Sequence, residues 1–237
     1  MTNMFIQPNW PAPSHIKAYT TLRDSHVSNL SQDAKIDVNR LVECLQLPQK
    51  PIRIKQTHSD IAIPALTDNH HKEADAVFTY QNNQVCLIST ADCLPVLLTN
   101  RQGTAVAAIH AGWRGLAKNI IPKTIQTMGL AGSDLLAWLG PAISQPCYEV
   151  GEEVREQFLQ NDPATAAAFI PSPNARWLAN LYAIARLQLT QWGVKPIFGG
   201  EYCTYSDKAR FFSYRRDGAI LGAMASLIWI DDSHPVL

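Results

Sequence analysis

Three short apolar segments, crowded between residues 85 and 110, constrain the fold of this chain most. They read VCLIST at 85–90, PVLLTN at 95–100 and TAVAAIH at 104–110. Each has the length of a strand, contains β-branched residues and shows almost no polar alternation. Strands that are apolar on both sides are typical of a sheet covered on both faces. The sequence therefore predicts a sheet with other layers packed above and below it.

Further segments alternate irregularly between strand and helix patterns. The helix predicted after His110 contains Pro122, which removes a backbone donor and predicts a kink or break. Because no regular strand–helix repeat emerges, we expect a mixed α/β fold of packed mixed sheets flanked by helices, in a single domain spanning 1–237. Other strands are predicted at 52–58, 75–80, 135–140, 197–200 and 225–230, and helices at 31–47, 113–128, 151–160 and 176–192.

Composition excludes several classes of protein. The chain has 237 residues, 46% of them hydrophobic, and its 20 basic and 20 acidic residues leave no net charge. A nucleic-acid or anionic-membrane partner would demand an excess of Lys and Arg, so neither is expected. The sequence has no recognisable signal peptide and no long apolar run, and its five cysteines form no C-x-x-C pair. We therefore expect a cytoplasmic protein with reduced thiols.

Two histidines and one cysteine are placed where predicted strands end, at His58, Cys93 and His110. One thiolate and two imidazoles suit zinc, and three protein ligands leave a fourth position open, as in catalytic zinc sites. Such a site keeps about one positive charge, enough to lower the pKa of a bound water towards 7. The alternative is that Cys93 is a small buried hydrophobe and the histidines are ordinary hydrogen-bonded residues. The adjacent His70 and His71 read as a solvated turn.

Two arginine-containing segments are candidates for binding an anion. In HAGWRGL, a glycine follows a strand and Arg114 opens a helix, an arrangement suited to a phosphate or carboxylate. The alternative is that Arg114 pairs with a carboxylate and the glycines serve packing. In FFSYRRDG (211–218), aromatic residues beside Arg215 and Arg216 suggest a surface that stacks a planar base and contacts an anion, with Tyr214 and Arg215 as substrate-binding candidates. An ordinary arginine-bearing loop is equally consistent with that pattern.

Eight motifs, in order over residues 51–230, make the chain resemble a known family. They are KQTHSD, EADAVFT, STADCLPVLL, AAIHAGWRGL, AWLGPAI, YEVGEEVREQF, IFGGEYCTY and FFSYRRD. The chain is similar in these motifs to the bacterial YfiH family, also described as laccase-domain proteins or purine nucleoside phosphorylases. The resemblance implies an α/β monomer with zinc on His58, Cys93 and His110. It also implies phosphorolysis of adenosine, inosine, guanosine and methylthioadenosine.

The same resemblance implies adenosine deamination as a second activity. A zinc deaminase needs a carboxylate that moves protons, and Glu73 and Asp92 are the candidates here. Asp92 adjoins a predicted ligand, but neighbouring residues of a strand point to opposite faces, which counts against it.

Three other functions remain alternatives. A copper-dependent polyphenol oxidase would fit the family's older name, although copper(II) displaces zinc at most such sites, so copper uptake in vitro would not prove it. A cysteine hydrolase acting on a peptidoglycan precursor would use Cys93 as nucleophile and His110 or His58 as base. A catalytically weakened zinc-binding protein is suggested by departures from the family pattern. These are a shortened segment at 20–30 and the residues Ser59, Asn180 and Ala223.

Overall fold

The structure is a computed structural model that describes residues 4–25, 27, 36–173, 175–218 and 222–232. Strands and helices are numbered in chain order. The largest sheet has six described strands and is mixed, since its two outer pairs are parallel and its inner pairs antiparallel. In spatial order these strands are β12 (Ile197–Gly199), β8 (Leu135–Leu139), β6 (Leu94–Asn100), β7 (Val106–Ala111), β4 (Ala76–Thr79) and β3 (Ala62–Pro64).

A second sheet packs against the first and is antiparallel throughout its described strands. Its spatial order is β1 (Phe5–Ile6), β2 (Ile16–Thr21), β13 (Met224–Ile230) and β5 (Cys86–Thr90). A small third sheet has the order β10 (Phe169–Ser172), β11 (Arg176–Ala179) and β9 (Glu149–Val150).

Helices cover the outer faces of the two large sheets. Those with described bounds are α1 (Val38–Leu45), α2 (Trp113–Ala117), α3 (Ile120–Met128), α4 (Glu152–Asn161), α5 (Leu181–Gln191) and α6 (Tyr214–Asp217). Helix α1 packs on the four-stranded sheet, whereas α2 to α5 pack on the six-stranded sheet. No helix within the described ranges has the length and apolar character needed to cross a membrane.

Strand β6 is apolar at consecutive positions because both of its faces are buried. Val96 and Leu98 join the core beneath the helices, while Leu97 joins the core between the two sheets. All three side chains are fully buried. Because successive side chains point to opposite faces, a strand covered on both sides needs an apolar residue at every position. The prediction of a mixed α/β fold with a covered sheet is confirmed.

Several predicted elements need correction. Residues 52–58 form no strand. Their only β-type pairings with described residues are two isolated bridges, from Ile52 to Cys86 and from Lys55 to Glu73. Residues 176–192 are not one helix, because strand β11 occupies the first four positions and Asn180 then caps α5 through its side-chain oxygen. The apolar residues of the short strand and of the following helix together have the spacing of one apolar helix face, which is why a single helix was predicted. The polar cap, Asn180, marks the boundary between the two elements.

The helix predicted over 113–128 is divided into α2 and α3, but not by its proline. The break lies at Asn119, whose φ of 64° is left-handed. Pro122 is the third residue of α3, where the missing N–H removes no intrahelical hydrogen bond. The helix predicted over 31–47 is described only as α1, and its first five residues lie outside the described part of the chain.

Candidate active site and metal centre

His58 lies in a loop that is organised by one buried carboxylate, that of Asp75. The two Asp75 oxygens accept hydrogen bonds from the backbone N–H groups of Thr57, His58 and Ser59, at 3.1, 3.0 and 2.6 Å, and from Ser59 Oγ at 2.6 Å. These N–H groups turn inward to the carboxylate instead of pairing with a strand, and His58 takes a left-handed φ of 59°. The prediction that His58 ends a strand is therefore wrong.

Cys93 lies in the turn between β5 and β6, where the chain passes from one large sheet to the other. The preceding residue, Asp92, has a φ of 86°. Its carboxylate accepts hydrogen bonds from Thr204 Oγ1 at 2.6 Å, Ser213 Oγ at 3.0 Å and the Arg215 N–H at 2.6 Å. These bonds fix the turn, so the Cys93 thiol is placed by a rigid backbone, although it does not end a strand as predicted.

His110 is the next-to-last residue of β7 and is almost completely buried. Its Nδ1 lies 2.7 Å from Asp75 Oδ1, so Asp75 orients His110 as well as the His58 loop. An imidazole that donates Nδ1–H to a carboxylate leaves Nε2 free to accept a metal ion, which is the usual arrangement around metal-bound histidines.

The structure brings His58, Cys93 and His110 together. Their ligand atoms all lie within 4.8 Å of one another, and His58 Nε2 is 3.8 Å from Cys93 Sγ. Around tetrahedral zinc, a sulfur at about 2.3 Å and a nitrogen at about 2.0 Å are separated by roughly 3.6 Å. The donor set and its spacing therefore fit one metal ion. Among the described residues, this is the one group of three such side chains with metal-binding geometry.

Without a metal, the same three residues favour charge separation. Burial acts to raise the pKa of the Cys93 thiol, but the facing imidazoles of His110 and His58 lower it to about 6. Burial acts to lower the pKa of His110, but Cys93 and Asp75 raise it to about 9. The pKa of Asp75 is lowered to about 2 by its hydrogen bonds from His110 and Ser59, against the opposite effect of burial. A thiolate beside an imidazolium is the expected state at neutral pH.

Gly112 allows helix α2 to begin close to two of the three candidate ligands, Cys93 and His58. A Cβ at this position would lie 2.8 Å from Cys93 Sγ and 3.0 Å from His58 Cδ2. The glycine thus serves close packing against the ligands, which is the alternative considered for the HAGWRGL segment. Gly115 is similarly tight, with its Cβ position 3.2 Å from the Ser59 carbonyl oxygen.

His58, Cys93 and His110 lie on the wall of a cavity of about 690 Å³, within the usual range of small-molecule sites. Arg114 lines this cavity and lies over the Trp113 ring, with Cζ 4.4 Å from its centroid. No carboxylate of the described chain lies within ion-pair distance of Arg114, so the alternative of a structural ion pair is not supported.

The FFSYRRDG segment is only partly available to a ligand. Phe211 and Phe212 are buried in the core, and Arg216 is engaged by Asp217 and by the carbonyl oxygens of three residues. The idea that these phenylalanines stack a base is therefore wrong. Tyr214 and Arg215 do line the cavity.

Arg215 is held in place at the cavity wall. It donates a hydrogen bond from Nη1 to the Glu149 carbonyl oxygen at 2.9 Å, and its guanidinium lies over the Tyr148 ring at 5.2 Å. Tyr148, which the sequence did not single out, also lines the cavity. Burial raises the pKa of its phenol well above the usual value, so it stays protonated and able to donate a hydrogen bond.

The two carboxylates suggested for deamination are both engaged elsewhere. Glu73 is exposed and pairs with Lys55 at 2.9 Å. Asp92 borders the cavity, but its oxygens accept the three hydrogen bonds that fix the Cys93 turn. His70 and His71 are exposed, as predicted for a solvated turn.

The structure shows where the residues that depart from the family pattern lie. Ser59 adds its hydroxyl to the Asp75 network, and Asn180 accepts a hydrogen bond from the Ala183 N–H as the cap of α5. Ala223 lines the cavity. Within the shortened segment at 20–30, residues 20–25 and 27 are described, whereas residues 26 and 28–30 lie outside the described part of the chain.

Sequence reasoning missed Asp75, the residue that connects His58 and His110. One feature of the sequence could have revealed it: Asp75 directly precedes the apolar strand AVFT, so its carboxylate is expected to be buried. A buried charge needs several hydrogen-bond partners, which would have suggested a structural role. A sequence cannot show that the partners lie 16 to 18 residues earlier and 35 residues later along the chain.

Comparison with known proteins agrees with this architecture. Residues 19–231 match the family described as "Multi-copper polyphenol oxidoreductase laccase". The chain is 41% identical over 242 residues to a Haemophilus influenzae protein named purine nucleoside phosphorylase, covering 95% of this chain and 99% of that one. It is 40% identical over 240 residues to an Escherichia coli protein named purine nucleoside phosphorylase YfiH, covering 95% and 98%.

Solved structures show the same fold. The crystal structure of Neisseria meningitidis protein NMB0706 aligns with a TM-score of 0.87 at 38% identity, covering 97% of this chain and 100% of that one. The structure of YlmD from Geobacillus stearothermophilus aligns with a TM-score of 0.86 at 23% identity, covering 98% of both chains, which shows the fold alone. From the matched family and these relatives, the chain belongs to the YfiH family of laccase-domain proteins.

Proposed function

We propose that this protein is a zinc-dependent purine nucleoside phosphorylase that acts on adenosine, inosine, guanosine and methylthioadenosine. The observation that carries the proposal is the His58, Cys93 and His110 group on the wall of a cavity that also presents Arg114 and Arg215. The relatives named purine nucleoside phosphorylase support the activity, since they cover almost the whole chain.

Phosphorolysis breaks the bond between C1′ of the ribose and a purine nitrogen, and forms a bond from C1′ to a phosphate oxygen. The transition state has oxocarbenium character, so catalysis requires a correctly placed anion and a stabilised leaving base. Arg114 and Arg215 supply positive charge for the phosphate. Tyr148 and Tyr214 line the same cavity, and in this proposal they contact the base or the ribose.

A zinc ion held by His58, Cys93 and His110 would supply a residual positive charge to stabilise negative charge that develops during the reaction. The protein's part is to hold those ligands: Asp75 orients His110 and the His58 loop, and Asp92 fixes the turn that carries Cys93. The proposal does not extend to adenosine deamination, because Glu73 and Asp92 are both occupied by other partners.

A cysteine hydrolase is the second candidate, and one specific observation favours it. Asp75, His110 and Cys93 form a carboxylate–imidazole–thiol series in which the thiol pKa is lowered to about 6, as a cysteine nucleophile requires. A bound metal would occupy that thiolate, so the two candidates exclude each other at one site. A multicopper oxidase would require further histidine clusters, which the described residues do not provide.

The test combines metal analysis with a phosphate-dependence assay. We expect protein purified without added copper to contain about one zinc per chain and to release purine base from adenosine or inosine only when inorganic phosphate is present. His58→Ala should lose both the metal and the activity, whereas His71→Ala, in the exposed turn, should keep both. Base release that is independent of phosphate would refute phosphorolysis, and activity that survives a strong chelator would favour the cysteine mechanism.

A further inference from the structure

A second group of reactive side chains lies outside the metal centre, where Cys147 and Cys203 share one hydroxyl. Ser206 Oγ is 3.3 Å from Cys147 Sγ and 3.4 Å from Cys203 Sγ, so the two sulfurs are at most about 6.7 Å apart. Neither thiol is buried in the core, because both side chains are partly exposed. The two cysteines lie in segments that are far apart in the sequence, and only the fold brings them close together.

The backbone holds these two segments side by side. Cys203 forms a parallel bridge with Ala142, and the next residue, Thr204, donates its N–H to the Ala142 carbonyl oxygen at 3.0 Å. The chain then turns, and the Cys147 N–H bonds back to the Ser144 carbonyl oxygen at 3.0 Å. A disulfide requires the two sulfurs to come within about 2 Å of each other, so the two cysteines must move closer together before the bond can form.

We propose that Cys147 and Cys203 are a redox-active dithiol, which peroxide converts to a disulfide that links the 144–148 turn to the 201–207 loop. Cys203 is the attacking thiol, because its sulfur accepts hydrogen bonds from the Ser144 N–H and the Ser206 hydroxyl, both at 3.4 Å. Hydrogen bonds to sulfur stabilise the thiolate, which is the reactive form.

The pKa of its thiol distinguishes Cys203 from Cys86, another cysteine outside the proposed metal centre. Burial acts to raise the pKa of its thiol, but the bonds from Ser144 and Ser206 lower it to about 7. Cys86, in contrast, is fully buried, and burial raises the pKa of its thiol far above the usual value. Cys44 is exposed on α1, so it serves as a matched control for simple accessibility.

The reaction needs only a hydroperoxide as oxidant. The Cys203 thiolate attacks a peroxide oxygen, the O–O bond breaks, and the hydroxide released takes up a proton to become water. The resulting sulfenic acid is then attacked by the Cys147 sulfur, which forms the S–S bond and expels a second water. Two thiols lose two electrons and two protons in total, and one hydrogen peroxide becomes two waters.

The disulfide would join two segments that border the proposed active site. Cys147 is followed by Tyr148 on the cavity wall, and Cys203 is followed by Thr204, whose hydroxyl bonds to Asp92 in the Cys93 turn. The covalent test does not depend on any enzymatic assay, so the dithiol and the proposed phosphorylase activity succeed or fail separately.

The experiment treats the purified full-length protein with stoichiometric hydrogen peroxide, then blocks free thiols and maps linked peptides by mass spectrometry. We expect a peptide pair joined between Cys147 and Cys203, two fewer free thiols per chain, and full recovery with a dithiol reductant. In Cys147→Ser, Cys203 should instead be trapped as a sulfenic acid by dimedone. Cys44→Ser should form the link as the wild-type protein does.

The proposal is overturned if the wild-type protein forms no link between these residues under conditions that oxidise Cys44. It is also overturned if the sulfenic acid at Cys203 persists while Cys147 is free. Because the decisive measurement uses the wild-type chain, a variant that failed to fold would not affect it.

Discussion

Replacing Asp75 by asparagine tests whether this one carboxylate organises the proposed metal centre. The Asp75 oxygens accept bonds from four donors of the His58 loop and one from His110. Asparagine has nearly the same shape as aspartate, but an N–H₂ group replaces one of the two oxygens. This group cannot accept the hydrogen bonds that the replaced oxygen receives in the native protein. At least two bonds to a charged acceptor are lost in either orientation, each worth about 1.5–3 kcal/mol.

We therefore expect Asp75→Asn to lower the free energy of unfolding of the metal-free protein by about 3 kcal/mol or more. For a chain of this length, that corresponds to a fall in Tm of roughly 6 to 12 °C. Zinc affinity should fall by about 10- to 100-fold, because His110 loses the acceptor that fixes its tautomer. Both values are measurable, by thermal unfolding and by competition with a chromophoric zinc chelator.

The pH dependence provides a second readout of the same perturbation. The folded-state pKa of Asp75 is lowered to about 2. Its stabilising contribution is therefore fully present above the unfolded-state pKa of about 4 and is lost as the pH falls towards 2. Asp75→Asn should remove that part of the acid-induced loss of stability. The exposed Asp68→Asn is the control and should change stability by less than about 0.5 kcal/mol. An Asp75→Asn protein with wild-type Tm and zinc affinity would refute this reasoning.

Three other perturbations separate the parts of the site. Gly112→Ala should abolish metal binding measured by atomic absorption, because its φ of −68° suits alanine but its Cβ would press on Cys93 Sγ at 2.8 Å. Gly129→Ala, with open space but a φ of 64°, should lose only about 1 kcal/mol and keep the metal. Arg114→Ala should raise the KM for phosphate by about 10-fold or more with a smaller change in kcat, and an unchanged KM would show that phosphate binds elsewhere. Alkylation of Cys93 by iodoacetamide in metal-free protein should rise with pH through about 6 and level off by neutral pH, and a midpoint near the ordinary thiol value would contradict the proposed thiolate.

The sequence predicted the buried strands well because their pattern is local. Val96, Leu97 and Leu98 are all apolar since each faces a covered side of the sheet, and no distant information is needed to see that. The boundary at Asn180 was missed because the strand before it and the helix after it share one apolar stripe, and only the cap marks the change.

The sequence pointed to the three candidate metal ligands but not to the residues that hold them in place. The resemblance to the YfiH family identified His58, Cys93 and His110, and the structure brings them together. The supporting bonds of Asp75 and Asp92 depend on residues that the fold brings close from 16 to 123 positions away. Such long-range contacts leave no periodic pattern in the sequence. Asp92 was therefore interpreted as a candidate acid or base, and Asp75 was not noticed.

The order of strands in the second sheet has a consequence for synthesis of the chain on the ribosome. The last described strand, β13, lies between β2 and β5, pairing with both. Strand β5 runs into the turn that carries Cys93, so this turn lacks its neighbouring strand until residues 224–230 have been translated. We infer that His58, Cys93 and His110 reach their final arrangement only after residues 224–230 have been synthesised and have paired with β5.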